Sequence, residues 1–319
     1  MKNISCFSIE GVELTKAILG CDNFISWLYQ GGDSQFKGSN GKVDPLKTYE
    51  VMKASVDHGV RSLDLSPPLV EVFKRLQEER HEKVEAVGAL QEWICTNFTL
   101  DSIPLAKYTD EIKATMCSKL SASYLENLKH SEAIESSFAK SFFLPKTQAR
   151  PLRKSQIENI RIRSEFFEEK LAFYRNLGVK VLQFGGGTAD WLFALGRNDL
   201  VRDLNQLIRR NGFVPILICH WASYVLPIAE KELDVAGYTV PLNKIWSLQT
   251  LSDALDVVKR IKKPLIAMKP LSSGALAHDI EGALTFLFKK VGVSAILVGV
   301  SSVAEAEQTF SMLAKIANE

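Results

Sequence analysis

An aspartate, a histidine, an asparagine and a lysine each close a short apolar run in this sequence. Asp64 follows Arg61-Ser62-Leu63, His220 follows Leu217-Ile218-Cys219, Asn243 follows Leu242, and Lys269 follows Ala267-Met268. A carboxyl, an imidazole, an amide and an amine are the raw material of general acid–base catalysis if one fold brings them together. A lysine desolvated by apolar neighbours is also a nucleophile for carbonyl carbon. Each residue has a plainer alternative. Asp64 can cap a helix, His220 can be a satisfied core histidine, and Lys269 can form a structural ion pair. Other polar residues stand at comparable places: Asp22 and Asn23, Gln91 and Glu92, and Asp190 after the run Gly185-Gly186-Gly187-Thr188.

Two serine- and glycine-rich turns suggest a second kind of chemistry. Lys269-Pro270-Leu271-Ser272-Ser273-Gly274 and Gly299-Val300-Ser301-Ser302 both follow apolar runs, the latter just before a helical pattern starting near Val303. Backbone amides and hydroxyls in such turns, beside a helix amino end, form a cradle for anions. Ser272, Ser273, Gly274, Ser301 and Ser302 are therefore expected to line one phosphate pocket. The five tryptophans, Trp27, Trp93, Trp191, Trp221 and Trp246, also fall past apolar runs. They can face a planar ligand or plug loops against a rim.

These residues need a scaffold, and the sequence supplies one by repetition. Apolar runs recur at 16–20, 60–65, 84–90, 179–184, 215–220, 237–242, 264–268 and 295–300. Near-continuous apolar runs of this length suit parallel strands buried on both faces. Helical patterns lie between them, such as 46–58 ended by Gly59 and 166–176 ended by Gly178. Alternation of this kind makes right-handed βαβ units, and eight of them predict one (β/α)₈ TIM barrel across residues 1–319. In a barrel the carboxyl ends of all strands meet at one mouth, which is where every candidate above would lie.

The third and fourth runs are about 88 residues apart, far more than a βα unit needs. The surplus, about 91–157, predicts a helical insertion on the third βα loop. Its distal part is basic: Lys140, Lys146, Arg150, Arg153, Lys154, Arg161 and Arg163 face one acid, Glu158. A solvated face, an oligomer contact or a lid over an anionic ligand all fit that run. Aromatic residues do not interleave with the charges, so it does not read as a nucleic-acid surface.

Composition narrows the classes. Hydrophobic residues make up 46% and charged residues 24% of 319, with net charge +2, so nothing demands nucleic acid or a membrane surface. The longest apolar runs are too short to cross a bilayer. Five cysteines without a C-x-x-C pair read as reduced thiols of a cytoplasmic protein. There is no H-E-x-x-H, G-x-S-x-G or G-K-[ST] motif, and no metal is expected.

With these residues assembled, the chain resembles the aldo-keto reductase superfamily. Leu19-Gly20 and Gly59-Val60-Arg61-Ser62-Leu63-Asp64 are similar to the family's early strands. Ala267-Met268-Lys269-Pro270-Leu271-Ser272-Ser273-Gly274 resembles its pyrophosphate-holding loop, and Gly299-Val300-Ser301-Ser302 with Gln308 its adenosine-holding segment. The resemblance implies NADP at Ser272, Ser273, Gly274, Ser301, Ser302 and Gln308. It also implies carbonyl reduction by an aspartate, tyrosine, lysine and histidine. Only the aspartate, Asp64, has its counterpart. Leu69 stands where the tyrosine should be, the third strand ends without lysine, and Val181-Leu182-Gln183-Phe184-Gly185 lacks the histidine. Three readings follow. The chain can be a reductase-like enzyme acting on a phosphorylated or nucleotide-bearing small molecule, with His220 or Lys269 replacing the tyrosine. It can be a lyase or aldolase with Lys269 as Schiff-base nucleophile, or a non-catalytic nucleotide-binding barrel.

Overall fold

The computed structural model describes residues 3–25, 36, 43–79, 83–90, 97–131, 134–245, 248 and 250–318. Eight parallel strands close into a barrel: β1 (Ala17–Leu19), β2 (Ser62–Leu65), β3 (Glu85–Ala89), β4 (Val181–Gly185), β5 (Val214–Ile218), β6 (Gly237–Pro241), β7 (Leu265–Met268) and β8 (Ala295–Val298). They pair in sequence order, and β8 closes on β1 through Val298 opposite Leu19. Each strand falls within or beside an expected apolar run, so the (β/α)₈ barrel is the observed architecture.

Eight helices follow these strands: α1 (Pro45–Asp57), α2 (Val70–Glu79), α3 (Ser164–Asn176), α4 (Asn198–Arg210), α5 (Ala222–Glu232), α6 (Leu251–Val258), α7 (Ile280–Thr285) and α8 (Val303–Ile316). Their ends are set locally. Asp44 caps α1 by accepting the amides of Leu46 and Lys47 at 3.0 and 3.2 Å, with Pro45 in the first turn. Gly59 and Gly178, both at positive φ, reverse the chain after α1 and α3 as expected.

Two features were not legible in the periodicity. A hairpin, Cys6–Ile9 against Val12–Thr15, precedes the barrel. Its Ile9 and Leu14 pack with Ile18, Val87, Val181, Ile216, Ile266 and Ala295, filling the end of the barrel opposite the candidate mouth. The segment between β3 and α3 is helical as expected, with helices at Thr109–Cys117, Ala122–His130, Ile134–Phe143 and Lys154–Glu158. It also holds a small antiparallel sheet, in which Phe98–Leu100 pairs with Ile103–Pro104 and Ile160–Ile162. That last strand lies beyond the expected end of the insertion at 157. Among the described residues no helix is long and apolar enough to cross a membrane.

Candidate functional site

A pocket of about 680 Å³ opens among the carboxyl ends of the strands. Asp64, His220 and Lys269, called from three separate runs, all line it. Asn243 does not. Its side chain is fully buried and supports the pocket indirectly, donating from Nδ2 to the Lys269 carbonyl at 3.2 Å and accepting the Ile245 amide.

Asp64 is only 2% exposed at the end of β2. The Cys21 thiol donates to its Oδ2 at 3.1 Å, and Gln183 Nε2 lies 3.4 Å from Oδ1. Gln183 is in turn held by the Thr239 hydroxyl at 2.8 Å. Burial pushes the Asp64 carboxyl up to about 7, with the Cys21 bond pulling against the rise and the Asp22 carboxylate adding to it. Burial also pushes the Cys21 thiol well up, which keeps it a donor.

His220 lies two residues past β5, and its orientation is fixed by Asp190. Asp190 Oδ2 is 3.0 Å from His220 Nδ1. The same carboxylate accepts the amides of His220 and Trp221 at 2.9 to 3.1 Å. A fully buried carboxylate with these donors aligns the imidazole as in other histidine–carboxylate pairs. Phe138 and Phe142, from helix Ile134–Phe143, pack on the imidazole with ring centres 5.7 and 5.8 Å away.

Lys269 follows β7 with φ at 56°, in the left-handed region. Its Nζ sits 4.6 Å from the centre of the Phe138 ring. Burial brings the amine down to about 7, and the Asp22 carboxylate opposes that fall. An acid and an amine in one pocket are thus both partly protonated at neutral pH. Such a pair can give and take protons in one turnover.

The turns differ from the open cradles expected. Ser273, Gly274, Ser301 and Gln308 line the pocket, whereas Ser272 and Ser302 do not. The amides of Ser272 and Gly274 are spent on the carbonyls of Lys269 and Leu271 at 2.9 and 3.0 Å. The Ser302 hydroxyl caps α8 by accepting the Glu305 amide, and Glu305 Oε2 accepts the Ser301 amide at 2.8 Å. The amino end of α8 is therefore already met by a carboxylate of its own helix. The glycines from the end of β4 onward serve a tight turn: a side chain at Gly185, φ 100°, would sit 2.7 Å from the Ile218 carbonyl.

Trp191 and Trp221 are buried and line no part of the pocket; Trp221 packs between Phe143 and Tyr224. These two plug the rim. Trp191 also falls inside a helix, Gly187–Ala194. Trp27, Trp93, Trp246, Gln91 and Glu92 lie outside the described residues. The residues that sequence reasoning missed are Phe138, Gln183 and the Cys21 contact. Nothing in the spacing links position 138 to strands five and seven, because the insertion folds back over the mouth. Leu69, which the sequence resemblance sets in the family tyrosine's place, is fully buried. The nearby Tyr174 does not line the pocket, and its hydroxyl lies 3.0 Å from the Leu65 and Ala89 carbonyls. Among the described residues no three His, Cys, Asp or Glu side chains gather as metal ligands would.

No family model and no curated protein matches the chain. Solved structures match it in fold. A holo-form aldo-keto reductase from Bacillus halodurans superposes with a TM-score of 0.57 at 10% identity, covering 98% of this chain and 91% of its own. Two structures from Pseudomonas aeruginosa assigned to the same family superpose at 0.56, with 13% and 14% identity. They cover 98% and 100% of this chain and 95% and 98% of their own. The chain is a (β/α)₈ barrel with the aldo-keto reductase fold. At these identities the likeness extends to the fold and no further.

Proposed function

We propose that this barrel is an enzyme that binds a small carbonyl compound at the carboxyl ends of its strands and acts on it by proton transfer. One observation carries this reading: Asp64, Lys269 and the Asp190-held His220 share a single pocket. Protonated Asp64 would polarise the carbonyl oxygen, and His220 or neutral Lys269 would take the proton from the adjacent carbon. The ligand is proposed to be anionic, with Lys170 on the pocket wall supplying positive charge.

The aldo-keto reductase likeness brings NADP into consideration, and the residues fit it incompletely. Ser273, Gly274, Ser301 and Gln308 line the pocket and would suit the sugar and base of a nucleotide. A phosphate seeking the same loops would meet the Glu305 carboxylate and amides already bonded. Of the reductase tetrad the reading retains Asp64 alone.

The test is exchange of the protons beside the carbonyl, followed by NMR in deuterated water over a panel of aldehydes, ketones and 2-oxo acids with and without phosphate. At least one compound should exchange faster with the protein than in buffer. Asp64→Asn should slow that exchange by about 10²-fold or more. A panel in which nothing exceeds the buffer rate would remove the reading.

A further inference from the structure

We propose that Lys269 works by covalent capture, its Nζ attacking the ligand's carbonyl carbon and holding it as an imine while Asp64 and His220 move protons. This rests on the reading that the pocket takes a carbonyl compound, and it states how that compound is held.

Position carries the proposal. Lys269 reaches the shared pocket from the end of β7. Its left-handed backbone is a conformation that a residue with a side chain keeps only where the surroundings impose it. Here the Asn243 side chain and the Ser272 amide grip the Lys269 carbonyl at 3.2 and 2.9 Å. The insertion covers the amine with the Phe138 ring, which also packs on His220, so one side chain spans both groups. Among the described residues, the charged or titratable groups besides Lys269 that line this space are Asp22 after β1, Asp64 on β2, Lys170 on α3, His220 after β5 and Glu305 on α8. Burial that brings the amine to about 7 leaves about half of it neutral at pH 7. That share is roughly a thousandfold or more above an ordinary lysine's. Only the neutral amine has the lone pair that attacks.

The chemistry balances without an oxidant or reductant. The Nζ lone pair forms the C–N bond as the carbonyl π pair moves to oxygen, which takes a proton from Asp64. The nitrogen, positive after attack, gives a proton back to the Asp64 carboxylate and so regains its lone pair as a neutral carbinolamine. Asp64 then protonates the hydroxyl, which leaves as water while that lone pair closes the C=N bond. Amine, carbonyl and one proton from Asp64 become iminium and water. The positive nitrogen then draws electrons from the adjacent carbon, whose proton His220 is placed to take.

The experiment is borohydride trapping on the intact chain at pH 7 with glycolaldehyde, dihydroxyacetone and pyruvate as probes, read by peptide mass mapping. The expected result is a gain at Lys269 of the probe's mass less one oxygen. It should form at least ten times faster than at Lys154, whose side chain is 92% exposed. Modification of Lys269 no faster than of Lys154 for all three probes would overturn the proposal. Phe138→Ala keeps the amine and tests Phe138 as a positioning residue. The pH midpoint of trapping should rise from about 7 toward the ordinary lysine range, and an unmoved midpoint would count against the desolvation on which the capture depends. The same probes are followed for proton exchange. Exchange without trapping sinks the capture and leaves the reading of the pocket standing, whereas loss of both sinks both.

Discussion

Asp64 and Lys269 lie in the same pocket with their protonation displaced in opposite senses, and the displacement has a consequence for stability. Asp64 goes from 3.8 to about 7, so between those values the folded chain holds a proton that the unfolded chain has released. Stability from this group falls as pH rises from about 4 to 7 and is flat above. Lys269 goes from 10.5 to about 7, so there the unfolded chain holds the extra proton. Stability from this group rises between about 7 and 10. The two contributions together are lowest near pH 7, where each costs up to about 4 kcal/mol by linkage. The double substitution Asp64→Asn, Lys269→Met should therefore unfold at higher denaturant than the wild type near pH 7, with the difference shrinking toward pH 4 for Asp64 and pH 10 for Lys269. A gain that does not vary with pH would show that the two groups are not displaced.

The elements explain why much of the barrel, but only part of the site, was legible. A strand buried on both faces is mostly apolar, so eight runs such as 295–300, which holds Ala295–Val298, announced themselves. Residues past their ends inherit a location from the barrel alone, and this placed Asp64, His220 and Lys269 in one pocket before any contact was known. Contacts made by an insertion have no such rule. Phe138 reaches the mouth because helix Ile134–Phe143 folds over it, and the small sheet around Phe98–Leu100 comes from strands too short to show a period. Helix α8 shows a subtler loss. Ser302 and Glu305 spell a capping signature, yet the same serines suggested a phosphate cradle, and the cap uses the amide that the cradle needed. Glu305→Gln keeps an acceptor for Ser301 while removing the charge. Calorimetry with inorganic phosphate and with NADPH should show tighter binding to this variant by about tenfold, equivalent to about 1.4 kcal/mol. Equal affinity for both proteins would mean that the carboxylate does not guard these loops.

At the scale of the whole molecule, the chain has the fold of an aldo-keto reductase barrel, and the sequence resemblance leaves most of the residues that the family's reaction is expected to need without a counterpart. A barrel tolerates this because its two ends are built independently. The hairpin residues Ile9 and Leu14 and the apolar layer above them stabilise one end, and the loops of the other can be exchanged without touching that layer. In the reductase mechanism implied by the resemblance, a tyrosine hands a proton to the developing alkoxide, and a lysine makes that tyrosine acidic enough to do so. By that resemblance the first position falls on Leu69, packed at 0% exposure, and β3 ends in Ala89 followed by Leu90. The Tyr174 hydroxyl is shifted further above its ordinary value by burial and holds backbone carbonyls instead. Loss of donors aimed at developing charge typically costs 10²- to 10³-fold for each one. NADPH-dependent reduction of simple aldehydes should therefore run well below roughly 1 per second, even if the nucleotide binds. Nicotinamide absorbance under saturating aldehyde measures it directly. Turnover at or above that rate, abolished by Asp64→Asn, would mean that His220 or Lys269 has taken over the tyrosine's task and that the fold carried its chemistry with it.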